Sequence, residues 1–168
     1  EKQKGKRMNA KTYIEPQTVL PVYAECELLI VGGGAAGHSA AVAAARAGCR
    51  NIILMERYGY CGGDVTGSYV LMLPCLSWYD KNYVRGLQQE WIDRLEKVPN
   101  GVIASPLEDM GREDDAAMLQ YWKRFPGTVY GYTRERVNRA AQVDPQQLKI
   151  EMDKMLLEHS DAIRILYH

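Results

Sequence analysis

This chain has no apolar run approaching the ~20 residues that a membrane-spanning helix needs. Its first twelve residues are polar and basic, with no apolar stretch behind them, so a secretory-signal pattern is missing as well. It also lacks a net charge: Lys+Arg and Asp+Glu both number 21, which leaves no overall field to draw in nucleic acid or an anionic membrane. Its four cysteines, Cys26, Cys49, Cys61 and Cys75, include no C-x-x-C pair. That spacing argues against a zinc site or a local iron–sulfur motif, so no metal is expected, and it fits reduced thiols in a cytoplasmic protein. The 168 residues, 46% hydrophobic and 25% charged, have the length and composition of one globular domain with a real core.

Residues 1–21 read as a solvated tail, with Lys2, Lys4, Lys6, Arg7 and Lys11 among few apolar positions. Order begins at "LLIVGGGAAGHSAAVAAARAG", residues 28–48. Leu28–Val31 is a continuous apolar run ending at glycine, the pattern of a parallel strand buried on both faces. Ala36–Ala47 is rich in strong helix formers and Gly48 ends it. Asn51–Met55 reads as a second buried strand, which completes a βαβ unit with the usual right-handed crossover. Residues 84–96 predict an amphipathic helix with Val84, Leu87, Trp91 and Leu95 on one stripe. Residues 99–132, punctuated by proline and glycine, read as a long irregular loop of the kind that is functional, partner-covered or mobile. Asp144 as N-cap, Pro145 at the first helical position and Gln147 three residues after the cap predict another helix. Its buried stripe is Leu148, Met152, Met155 and Leu156, with the methionines as core filler. Ala162–Leu166 reads as a third strand.

The glycines fit G-x-G-x-x-G as Gly32, Gly34 and Gly37. The first permits the tight exit from a strand, the second removes a side chain where backbone approaches a diphosphate, and the third lets helix and strand pack closely. The helix that follows points free N–H groups and the positive end of its dipole at the same place. Glu56 ends the second strand nineteen residues beyond Gly37. A carboxylate there can accept both hydroxyls of an adenosine ribose, which disfavours a 2′-phosphate. His38, one position past the motif, reads as a surface residue. A second pair, Gly62-Gly63, follows within a few residues of Glu56, where a simple nicotinamide dehydrogenase would run into its next helix.

Together "VYAECELLIVGGGAAGHSAAVAAARAG", "NIILMERYGYCGG" and "DVTGSYV" resemble the N-terminal part of FAD-dependent oxidoreductases of the two-dinucleotide-binding-fold type, the glutathione-reductase/fumarate-reductase-like superfamily. "VDPQQLKIEMDKMLLEHSDAIRILYH" resembles the helix and third strand of the same fold. The likeness spans residues 22–96 and 142–168, and nothing between 97 and 141 matches a motif. It implies an α/β, Rossmann-like βαβ FAD-binding fold with a parallel sheet, incomplete in this chain. On that reading residues 22–168 are the N-terminal portion of an FAD domain with an irregular insertion at about 97–141, and the substrate domain is absent. The resemblance further implies that Gly32, Gly34, Ala35, Ala36 and Gly37 hold the FAD pyrophosphate and Glu56 the adenosine ribose. Arg57 would lie beside the adenine or ribose, and Gly62, Gly63 and Thr66 would run along the pyrophosphate towards the flavin. Cys61 departs from the apolar residue usual there, and it reads as a buried, inert thiol, as does Cys75.

No residue stands in a context that marks it as a catalytic acid, base or hydride-handling group. A sheet stopped at its third strand would leave apolar surface and an open edge. The expectation is therefore an FAD-binding portion or subunit of an oxidoreductase, completed by a second polypeptide in a hetero-oligomer and acting on a small-molecule substrate. An NAD-dependent dehydrogenase domain, and a non-catalytic dinucleotide-binding component of a larger assembly, are the alternatives. In the latter, loop 99–132 and the Tyr-rich stretch 121–136 would contact the partner. The cluster Trp78, Tyr79 and Tyr83 reads as packing or interface.

Overall fold

A computed structural model describes residues 12–13, 15–73, 76–78, 81–104, 108 and 140–168. Among the described residues eleven elements follow one another: β1 (Leu28–Val31), α1 (Ala35–Arg46), β2 (Ile52–Glu56), β3 (Met72–Leu73), β4 (Ser77–Trp78), β5 (Lys81–Asn82), α2 (Leu87–Leu95), β6 (Val102–Ala104), β7 (Ala141–Val143), α3 (Pro145–Leu157) and β8 (Ile163–Tyr167). The three strands expected from the sequence form one parallel sheet in the order β1-β2-β8, and they lie within a residue of their expected bounds. The α/β, Rossmann-like class with an incomplete sheet is thus the fold observed.

Strand geometry assigns alternate residues to opposite faces. Leu28, Ile52 and Ile163 stand in one register row, and Ile30, Leu54 and Ile165 in another. Both rows pack against Ala41, Val42 and Ala45 of α1 and Leu148, Met152, Met155 and Leu156 of α3. Small side chains on α1 allow this helix to lie close to the strands, while α3 fills the remaining space with longer ones. The opposite face is mixed: Ile53 is buried, but Leu29 is 52% exposed, Val31 77% and Met55 42%. The expectation that β1 is buried on both faces fails here. An unbroken apolar run shows that a strand can tolerate cover on both sides, but the covering layer is a tertiary matter. Among the described residues the helices cover one side only.

Two corrections concern the region between the strands. Val102–Ala104, inside the stretch read as irregular, is a strand that pairs antiparallel with β7, which pairs in turn with β3. Strands of two or three residues are too short to show a period-two pattern. Residues 105–107 and 109–132, with the Tyr-rich stretch 121–136, lie outside the described residues, as do Cys75 and Tyr79. Tyr83 is 65% exposed, and the backbone of Trp78 lies in the β4–β5 hairpin. The helix read over 84–96 begins only at Leu87, because Gly86 takes a left-handed φ of 69°. Val84 packs beside that helix, against the small second core of Leu76, Ile92, Ala104 and Ala141.

The start of α3 follows the sequence signal closely. Asp144 accepts hydrogen bonds from the amides of Gln146 (2.9 Å) and Gln147 (2.8 Å), with Pro145 in the first turn. The Gln147 side chain does not complete a capping box, because the Asp144 amide donates instead to the Gly101 carbonyl at 2.8 Å. Asp144→Ala is expected to cost about 1 kcal/mol of folding stability, measurable as a lowered urea midpoint at unchanged m-value.

His38 overturns its reading as a surface residue. It is fully buried, its Nε2 lies 2.9 Å from the Met152 carbonyl, and its ring meets Trp91 edge-on at 5.6 Å. A carbonyl can only accept, so Nε2 carries the proton and Nδ1 is left without a partner. One position past the motif is also one turn into the helix, and that turn faces α3. Burial holds the imidazole pKa below its ordinary 6.5, and Arg46 adds to this, although the Met152 carbonyl, Asp153 and Glu90 pull the other way. With the folded pKa depressed, the unfolded chain binds the extra proton. Stability is therefore complete above 6.5 and declines as pH falls below it. Urea midpoints compared at pH 7.5 and about 5.5 should fall with acid in the wild type, and His38→Gln should flatten that dependence.

Candidate dinucleotide site

The three strands of the parallel sheet end together, and a groove of about 670 Å³ opens beyond their carboxyl ends. Val31 and Gly32 line it from β1, Met55, Glu56, Arg57 and Tyr58 from β2, and Leu166, Tyr167 and His168 from β8, with Gly63 closing one side. Open α/β sheets place ligands at this end, where the loops and helix N-termini converge.

The first glycine turn is shaped by close approach. A Cβ on Gly37 would lie 1.8 Å from the Gly32 carbonyl oxygen, so only glycine lets α1 meet the end of β1 this tightly. Gly32 itself takes φ 104°, in the region that favours glycine, and its amide donates to the Met55 carbonyl at 2.7 Å. Gly34 is the N-cap of α1 and no side chain caps this helix. The amides of the first turn, among them Ala35, Ala36 and Gly37, therefore have no intrahelical acceptor. Ala35 and Ala36 are exposed with side chains too small to obstruct them.

The second glycine pair folds back onto the first. The Gly62 amide donates to the Gly33 carbonyl at 2.9 Å, and Gly34 and Gly62 form a parallel bridge. A Cβ on Gly63 would come within 3.2 Å of the Gly34 Cα. Thr66 stands apart from the other predicted residues. It is fully buried, and its hydroxyl donates to the Cys61 carbonyl at 2.7 Å, which braces the turn from within.

Glu56 is half-buried at the rim. One carboxylate oxygen accepts the Gly33 amide at 2.5 Å and the other the Tyr58 amide at 2.8 Å. Each oxygen keeps a second acceptor position, so the carboxylate is oriented and still able to receive hydroxyl donors. Arg57 is exposed beside it, its guanidinium 5.1 Å from the centroid of the Tyr58 ring. Tyr58 stacks on Tyr60 at 5.7 Å, and Lys149 lies 3.9 Å from the Tyr60 ring on the other side.

Cys61 is fully buried, and burial pushes its thiol pKa up to about 11. The thiolate form is thus rare at neutral pH, as expected of an inert cysteine. Its sulfur would lie 2.8 Å from a Cβ on Gly33.

Gly32, Glu56, Arg57 and Gly63 thus share one groove, and Gly34, Ala35, Ala36, Gly37 and Gly62 build the turns behind it. Sequence reasoning missed Gly33, although a third consecutive glycine at a position the motif leaves free is a visible signal. Tyr58, Tyr167 and His168 were missed as well. Tyr167 and His168 reach the groove through the register of β8 beside β2, which no local spacing encodes, whereas Tyr58 follows directly on the end of β2. The lining offers an oriented carboxylate, a guanidinium and two tyrosines, and the uncapped N-terminus of α1 lies in the turn behind it; groups of these kinds can bind a nucleotide.

A family model described as "FAD dependent oxidoreductase" matches residues 27–168. The urocanate reductase of Eggerthella lenta is 36% identical over 88 residues, which cover 52% of this chain and 13% of that protein. Among solved structures, the THI4 protein of Thermovibrio ammonificans aligns with 84% of this chain and 38% of its own, at 12% identity and a TM-score of 0.38. The L-amino acid deaminase of Proteus myxofaciens, solved with anthranilate, aligns with 95% of this chain and 41% of its own, at 15% identity and a TM-score of 0.35. This chain thus spans a small part of the curated relative and less than half of either solved chain. With the family model matched from the first strand to the last residue, the chain belongs to the FAD-dependent oxidoreductases, and its cofactor is FAD.

Proposed function

We propose that this chain is the FAD-binding portion of an oxidoreductase acting on a small molecule, with the cofactor's ADP half held at the paired glycine turns. The observation that carries this reading is the approach of Gly63 to Gly34 beside an uncapped helix N-terminus, with Glu56 oriented at the rim. Gly32, Gly34, Ala35, Ala36 and Gly37 present backbone amides to the diphosphate, and Gly62 and Gly63 flank it from the opposite turn. Glu56 accepts the ribose hydroxyls, and its charge disfavours a phosphate at that position. Arg57 borders the adenosine end, and Thr66 keeps the second turn closed from inside. When bound, the flavin supplies the site that accepts and returns electrons.

The bare sheet face supports a further element of the reading. Leu29, Val31 and Met55 form an apolar surface beside the groove, and additional polypeptide would bury it. We assign this role to a second, covering polypeptide in a hetero-oligomer. The thiols of Cys26, Cys49 and Cys61 are free, which supports a reducing compartment such as the cytoplasm.

Four measurements test these points. Nucleotide released by heat from the purified native protein should be FAD by absorbance and mass, and NAD in its place would overturn the reading. Stoichiometric FAD on a stable, isolated monomer of these residues would remove the need for a covering partner. Glu56→Gln should weaken FAD binding by about ten- to hundredfold, as expected for losing hydrogen bonds to a charged group. Gly37→Ala should abolish binding and destabilise the fold by about 2 kcal/mol through overpacking against the Gly32 carbonyl.

A further inference from the structure

One hydrogen-bonded chain beside the groove is not used by the binding scheme above. The Tyr167 hydroxyl lies 2.6 Å from an Asp153 carboxylate oxygen and 3.3 Å from the Cys61 sulfur. Tyr167 ends β8 and Asp153 lies on the preceding α3, whereas Cys61 belongs to the second glycine turn, more than a hundred residues from Tyr167. The Tyr167 ring also lines the groove, and the neighbouring His168 amide donates to the Glu56 carbonyl at 3.1 Å. On its other side the Cys61 sulfur packs against Gly33, whose amide orients the Glu56 carboxylate.

We propose that the chain Cys61–Tyr167–Asp153 sets the position of the second glycine turn against the third strand, with Tyr167 as a positioning residue for the ADP half of the cofactor. The inference rests on the FAD reading and deepens it. The direction of the bonds follows from chemistry. Cys61 keeps its proton at neutral pH, so its S–H donates to the Tyr167 oxygen, and Tyr167 donates its own proton to Asp153. Burial, and then the Asp153 carboxylate, hold the phenol above its ordinary range, which keeps that proton in place. Each link ends on an acceptor, so the chain has one arrangement. Breaking it leaves a buried thiol without its acceptor and frees the turn that carries Gly62 and Gly63 to shift away from Gly33 and Gly34. A shift of the turn would be felt where the diphosphate and ribose bind and would leave the flavin half untouched.

The test uses native protein stripped of its cofactor and titrated with FAD, with ADP and with riboflavin. Tyr167→Phe should lower FAD and ADP affinity together by about five- to tenfold and leave riboflavin unaffected, with Tm within about 4 °C of wild type. Cys61→Ser keeps a donor and should stay near wild type, whereas Cys61→Val should reproduce the Tyr167→Phe loss. That contrast separates hydrogen bonding from packing, since both replacements fill the site. Should Tyr167→Phe fail to fold, Asp153→Ala becomes the deciding variant, because it leaves ring and thiol in place and is expected to weaken ADP in the same direction. Unchanged ADP affinity in the folded variant overturns the inference alone. Wild-type protein that binds neither FAD nor ADP overturns the FAD reading and the inference with it.

Discussion

The hydrogen bond from the Gly62 amide to the Gly33 carbonyl, at 2.9 Å, joins two turns that lie almost thirty residues apart, and the site is built around that junction. Side chains would crowd the junction at Gly33, Gly37 and Gly63. The Gly63 and Gly34 backbones approach within a few ångströms, Gly37 leaves no room for a Cβ beside the Gly32 carbonyl, and Gly33 is hemmed in by Cys61 and Glu56. At Gly37 and Gly63 the absent side chain lets backbone approach backbone. The Glu56 carboxylate then serves both turns, since it fixes the Gly33 amide of the first and the Tyr58 amide that leads into the second.

What holds the junction in place is a core on one side of the sheet. The helices α1 and α3 pack on the same face, and α2 is drawn to them by a linked set of ion pairs. Arg46 forks onto both oxygens of Glu90, and Arg94 bridges Glu90 and Glu158. Hydrogen bonding to Arg46, and then to Arg94, holds the Glu90 carboxyl at about 2, well below the usual carboxylate range. This charge network sits over His38 and Trp91, a pair buried without a full set of hydrogen-bond partners. The same face that anchors the glycine turn thus contains two buried polar atoms without a partner among the described residues, and His38 makes it sensitive to acid. The other face buries Ile53 at its centre but carries Leu29 and Val31 to solvent, so it is only partly covered among the described residues.

Much of this was legible from local pattern. The βαβ unit, the third strand, the Asp144 cap and the methionine stripe of α3 each depend on residues within a turn or two of one another, and the chain's own periodicity records them. The glycine motif and Glu56 were legible because a dinucleotide constrains spacing along the chain. The short strands Met72–Leu73, Val102–Ala104 and Ala141–Val143 were not, since two or three residues carry no period and their pairing joins distant segments. Thr66 shows the same limit in the site itself. Its place beside the glycine pair was readable, but the inward turn of its hydroxyl to the Cys61 carbonyl was not.

The sequence by itself determined the βαβ unit and the family, because the glycine spacing, the alanine-rich helix start and the acid at the strand end are patterns written locally along the chain. Only tertiary structure decided which residues share the groove and which face of the sheet stays bare. Tyr167 and His168 reach the site through the register of β8 beside β2, and His38 is buried because its turn of helix faces α3. Exposure and neighbourhood are set by the packing of whole layers, and residue spacing along the chain contains no term for that.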